Sequence, residues 1–126
     1  MAIGKKTRYK ENEKIPTRAF SSMQEKAVAK ATNGNTTLNS GATMFQKGDV
    51  TTDGTDSFLL ECKTKTSHSE SMTFKKEWIE KNKQEAAFMG KKHQAVVFNF
   101  GPDEDNYYVI EEYLFKELQK YLNGKK

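Results

Sequence analysis

The run Ala95-Val96-Val97-Phe98, extended by Phe100 and stopped by Gly101-Pro102-Asp103, is almost continuously apolar. A strand that reads this way, without alternation, is buried on both faces. A chain that holds such a strand needs layers of structure on both sides of its sheet. Its other segments should therefore include helices that can cover one.

Those segments are legible. Residues 21–31 have helical character, with Ser21 or Ser22 as cap, Glu25 in the early turns and Asn33-Gly34-Asn35 as the stop. Residues 36–41 read as a polar loop. Residues 42–52 and 58–65 read as two strands around the turn cluster Asp53-Gly54-Thr55-Asp56. A Ser/Thr-rich loop follows to Met72. Phe74, Trp78, Ile79, Ala86 and Met89 recur at helical spacing over 73–89, and Gly90 ends the pattern. Residues 94–100 and 107–110 are strands. In the closing helix, 113–122, Leu114, Leu118, Tyr121 and Leu122 form a stripe. The expected order is α-β-β-α-β-β-α, a mixed central β-sheet flanked by helices.

At 126 residues the chain is one domain's worth of sequence, expected as a basic arm over 1–16 and a folded domain over 17–126. No apolar run reaches the roughly 18 residues of a membrane helix. The N-terminus lacks the apolar stretch of a secretory signal, so a cytoplasmic location is expected. The single cysteine, Cys62, excludes an internal disulfide framework and a multi-cysteine zinc site. The net charge is +4, and it is unevenly spread. Lys5, Lys6, Arg8, Lys10, Lys14 and Arg18 face only Glu11 and Glu13 in the first eighteen residues. A second basic excess lies between Lys63 and Lys92. A polyanion such as nucleic acid accounts for this distribution. A solubilising tail and a solvated helix face account for it too.

The chemistry concentrates on Asp49 and Glu61-Cys62-Lys63. Residues two apart on a strand share a face, so Glu61 and Lys63 point one way and Cys62 points into the core. A two-residue turn at Asp53-Gly54 would pair Asp49 with Phe58 and leave Glu61 roughly 10 Å along the strand. A five-residue loop, 53–57, pairs Thr52 with Phe58 and Asp49 with Glu61. In that register two carboxylates and an ammonium converge. Paired carboxylates repel unless a cation sits between them. Mg²⁺ takes one or two carboxylates, water and phosphate oxygens, and Mn²⁺ is a plausible substitute; the Cys62 backbone carbonyl is a further candidate ligand. Lys63 is placed to hold an attacking water or to stabilise charge on phosphorus. Glu25, on the first helix, is a candidate to join them. A solvated Glu–Lys pair and a turn aspartate are the competing reading. Against it, Phe58-Leu59-Leu60 marks the strand as central, where carboxylates need a partner.

These residues resemble the PD-(D/E)XK nuclease signature, with Gly48 where the signature has Pro. The wider frame resembles the small Holliday junction resolvases of archaea and bacteriophages. It includes Glu25, Asn39-Ser40-Gly41-Ala42, Lys47-Gly48-Asp49-Val50, Lys75-Lys76-Glu77-Trp78 and Val96-Val97-Phe98, over roughly residues 17–115. The resemblance implies a single-domain restriction-endonuclease-like fold and a Mg²⁺-dependent endonuclease that acts on branched DNA as a homodimer. It implies Glu25, Asp49 and Glu61 as metal ligands, Lys63 as the catalytic lysine, Ser40 in a loop at the scissile phosphate and Arg18 as a DNA-backbone contact. Gln84 is its candidate polar residue facing the site from the second long helix. Recombination, repair and replication or packaging of phage DNA are compatible processes. A repair or restriction-type nuclease, and a non-catalytic DNA-binding protein, are the alternative functions.

Lys47, Lys65, Lys75 and Lys76 flank this constellation as candidate DNA contacts. Thr43, beside Ser40, reads chiefly as a loop residue. His68 reads as a solvated loop histidine with a possible phosphate role, and His93 as structural. Trp78 is expected in the core or an interface. Of Tyr107 and Tyr108, one is expected inward and one outward.

Overall fold

The computed structural model describes residues 17–37 and 49–124. The chain is α/β, with helices α1 (Thr17–Thr32), α2 (Lys76–Phe88) and α3 (Glu112–Gly124). Its strands are β1 (Asn35–Thr36), β2 (Val50–Thr51), β3 (Phe58–Lys63), β4 (His93–Phe98) and β5 (Tyr107–Val109). They form one mixed sheet in the order β1-β2-β3-β4-β5. Only β3 and β4 run parallel, joined through α2. The other neighbours are antiparallel.

Among the described residues the order is thus α-β-β-β-α-β-β-α, one strand more than the sequence suggests; residues 42–48 of the expected strand 42–52 lie outside them. The extra strand, β1, is two exposed polar residues held to β2 through the backbone, with Asn35 opposite Thr51 and Thr36 opposite Val50. It has no hydrophobic alternation to reveal it. α1 also starts earlier than its Ser21 cap signal: the stripe Phe20, Gln24 and Val28 faces inward from one side of the helix and continues it backward. Asn33, at φ 55°, turns the chain out of α1, and the Gly34 N–H closes onto the Ala29 carbonyl at 2.8 Å. Gly34 is required there, because a Cβ would lie 2.7 Å from the Thr51 carbonyl oxygen of β2. α2 begins at Lys76, after an extended Lys75, so Phe74 lies outside it. Phe74 still packs edge-on to Trp78 and Phe98, with ring centroids 5.1 and 5.9 Å away.

The core forms on the α1 side of the sheet from Val28, Val50, Leu60, Ala95 and Val97, with Cys62 packed against it. The apolar run of β4 is buried over 93–97, as its lack of alternation requires. On the other face, buried Asn82 of α2 reaches the carbonyls of Leu59 and Ala95 at 3.3 and 3.1 Å and the Gln94 side chain at 2.8 Å. That amide pins α2 across β3 and β4. Tyr107 and Tyr108 are both substantially exposed, 50% and 40%, because β5 is an edge strand with little above either face. Among the described residues, no helix is long and apolar enough to cross a membrane.

Candidate active site

The five-residue loop is the one the chain adopts. Val50 pairs with Leu60 and Thr51 with Leu59. The Thr52 N–H donates to the Phe58 carbonyl at 3.0 Å, and the Phe58 N–H to Thr52 Oγ1 at 2.9 Å. The paired register ends at Val50, and Asp49 lies just beyond it against residues 60–62 of β3. Asp49 is anchored at both ends. Its N–H donates to the Leu60 carbonyl at 3.1 Å, and its Oδ2 accepts the Cys62 N–H at 2.8 Å. The side chain therefore takes a backbone donor of β3.

Glu61 and Lys63 share a face as their spacing requires. Lys63 Nζ lies 3.4 Å from Glu61 Oε2 and 4.6 Å from the centroid of the Trp78 ring. Both side chains are mostly shielded from solvent. Burial, followed by the charge of Asp49, pushes the Glu61 carboxyl up to about 7; Lys63 pulls it back only in part. Glu25 stands on α1. Burial and then the Asp49 charge push its carboxyl up to about 7 as well, with Arg18 opposing and Glu61 adding. The Arg18 guanidinium lies two helical turns before Glu25, on the same side of α1. Burial raises the Cys62 thiol, and the charges of Asp49, Glu25 and Glu61 raise it further. The carboxylates of three separate elements thus feel one another at the Lys63 end of β3. Among the described residues, however, no three His, Cys, Asp or Glu side chains close around one point in the manner of a metal cage. Asp49 Oδ2 and Glu61 Oε2 are turned to protein donors instead.

Several contributors escaped the sequence reading. Gln24 is buried; its Nε2 donates to the Lys63 carbonyl at 2.8 Å and lies 3.2 Å from Asn106 Oδ1. It fixes the backbone of the lysine itself. Trp78 underlies the Lys63 ammonium rather than only filling core. On α2 it is Glu85 whose charge reaches Glu61, while Gln84, the expected polar residue, is exposed. A polar residue beside the inward stripe of α2 is the sequence signal for it.

The remaining candidates are dispersed. Lys65 Nζ is held within its own loop by Ser69 Oγ at 3.1 Å and the Ser71 carbonyl at 2.6 Å. Lys75 and Lys76 are exposed at the start of α2, Lys76 paired with Glu80 at 3.6 Å. Arg18 is exposed. His68 is exposed and contacts Glu104. His93 is buried between Tyr113 Oη at 2.8 Å and Asp56 Oδ1 at 3.2 Å, as a structural histidine should be. The 1–16 arm, Ser40, Thr43 and Lys47 lie outside the described residues.

Comparison with family models, curated proteins and solved structures finds no match.

Proposed function

We propose that the chain is a metal-dependent endodeoxyribonuclease of the PD-(D/E)XK kind, with a restriction-endonuclease-like fold, and that its substrate is branched DNA such as a Holliday junction. The observation that carries this reading is the convergence of Asp49, Glu61, Lys63 and Glu25 at one end of β3. The donor types suit a hard divalent cation, although among the described residues no three of these side chains close around one point as placed. Two carboxyls are held near neutrality by burial and by neighbouring negative charge, which a cation would relieve. Asp49 and Glu61 would be its principal ligands, joined by the Cys62 carbonyl and Glu25. When bound, Mg²⁺ supplies Lewis acidity to a phosphoryl oxygen and lowers the pKa of a coordinated water.

The protein's own groups do the rest. Lys63, steered by Glu61 and by the Trp78 face, presents a positive charge where negative charge builds on the phosphorus. Gln24 keeps that strand end from shifting.

A non-catalytic DNA-binding role has one observation in its favour, the structural bond from Cys62 N–H to Asp49. Single-turnover cleavage of a branched substrate by Asp49→Asn and Lys63→Ala separates the two. The enzyme reading predicts a loss of about 10²–10³-fold for Lys63→Ala, the usual cost of removing one transition-state electrostatic contact. Activity unchanged in both variants contradicts it.

A further inference from the structure

The buried core of this fold is aliphatic, built from valines, leucines and alanines, and among the described residues no aromatic side chain is buried with them. Five aromatic rings gather elsewhere, on the α2 face of the sheet at its Lys63 end. Phe98 is their hub, with ring centroids 5.9 Å from Phe74, 5.4 Å from Phe100 and 5.6 Å from Tyr107. Phe74 in turn lies 5.1 Å from Trp78, whose ring carries the Lys63 ammonium. All five rings belong to residues that keep contact with solvent. The strand ladder fixes where the cluster lies. Lys63 of β3 pairs with Phe98 of β4, and Phe98 pairs with Tyr107 of β5. Residues opposite one another share a face, so lysine and tyrosine stand in one row, two strand spacings or roughly 10 Å apart. α2 packs over β3 and β4. Tyr107, at the sheet edge, is 50% exposed.

We propose that Tyr107, backed by Phe98 and Phe100, is a stacking platform for one unpaired nucleobase of the DNA strand whose phosphate lies at Lys63. This rests on the nuclease reading above and names the part of a branched substrate that the protein grips. The Tyr107 ring lies 28° from the plane of Phe98 and meets Phe100 at 67°. Two neighbours therefore hold it before any ligand arrives, and stacking on it costs little further side-chain entropy. A fixed, planar, apolar face suits the π-face of a base, whatever the sequence. Charge decides which part of the strand reaches it. Asp103, Glu104 and Asp105 closely precede Tyr107 in the chain. They repel a phosphate but not the neutral face of a base. The backbone stays on the lysine side, and the base alone crosses to the edge strand. A base inside a duplex has both faces covered and must leave the stack, at a cost, before a protein group can reach its plane. A base already free at a branch, fork or gap has no such cost. The platform thus favours branched over linear DNA.

Photocrosslinking and binding by the full chain test this apart from cleavage. The probe is a splayed DNA fork with 5-iododeoxyuridine at the unpaired nucleotides beside the branch, held in Ca²⁺. A linear duplex carrying the same label internally is the comparison. The crosslink should map to Tyr107 with the fork and be absent with the duplex. Tyr107→Leu should lose it and bind the fork about 5–150-fold more weakly, the range for one stacked base. Tyr107→Phe should keep wild-type affinity. So should Tyr108→Leu, the next residue of β5, which faces the other side of the sheet. A wild-type crosslink that maps away from Tyr107, a fork that gives no crosslink, or affinity unchanged in Tyr107→Leu overturns the platform. The wild-type map needs no variant, so it decides even where a substitution disturbs β5. Cleavage in Mg²⁺ is scored separately. A Tyr107 crosslink without cleavage keeps the platform and removes the nuclease reading; cleavage without that crosslink does the reverse.

Discussion

The Lys63 ammonium is held from two sides, by the Glu61 carboxylate at 3.4 Å and by the Trp78 ring at 4.6 Å to its centroid. A long, flexible side chain is thereby confined to one position. Removing the ring frees it without deleting the charge. Trp78→Ala should lower the cleavage rate about 10-fold, as expected for losing a contact of about 1 kcal/mol and the alignment it gives. Trp78→Phe should recover most of that loss. Single-turnover rates at saturating substrate check this, with circular dichroism to confirm the fold.

The two raised carboxyls make a prediction about pH. Glu25 and Glu61 move from 4.5 to about 7 on folding, so between those values the folded state holds more protons than the unfolded state. Stability should be highest below pH 4.5 as far as these groups are concerned, and should fall as pH rises through 7. Thermal melts in the absence of divalent metal should show this decline. Glu61→Gln, which removes the titrating group and leaves an uncharged isostere, should flatten it. Added Mg²⁺ should raise the melting temperature most at pH 8, where both carboxylates are ionised.

Gln24 links α1 to the strand end that carries Lys63. Gln24→Ala should destabilise the fold by about 1–3 kcal/mol, because the Lys63 carbonyl and Asn106 lose a buried donor. It should also slow cleavage more than that stability loss accounts for. Urea melts and rates measured well below the unfolding transition separate the two effects.

Gly34→Ala gives a purely structural check. The added methyl would meet the Thr51 carbonyl at 2.7 Å, and backbone cannot swing aside as a side chain does. A loss of about 1–3 kcal/mol is expected, the usual range for overpacking.

Much of this site was legible because strands obey a strict period. The shared face of Glu61 and Lys63 follows from that period, and the loop of five residues brings Asp49 to the same end of β3. The buried strand 93–97 was legible from its unbroken apolar run. β1 was not, because its two polar residues are held only by backbone bonds that any side chain permits. Nor were Gln24, Trp78 and Glu85, whose roles depend on where α1 and α2 land against the sheet rather than on local pattern. The two tyrosines of β5 were misjudged for a related reason: alternation decides which face a residue takes, and tertiary packing decides whether that face is covered.

The central claim is that the Asp49–Glu61–Lys63 cluster cuts DNA at a branch. Its most direct test is cleavage of an end-labelled four-way junction beside its matching linear duplex, in Mg²⁺ and in EDTA, by the wild type and Glu61→Gln. The account predicts paired nicks in the junction alone, absent in EDTA and absent in the variant. Junction binding with no cleavage in either Mg²⁺ or Mn²⁺ would contradict it.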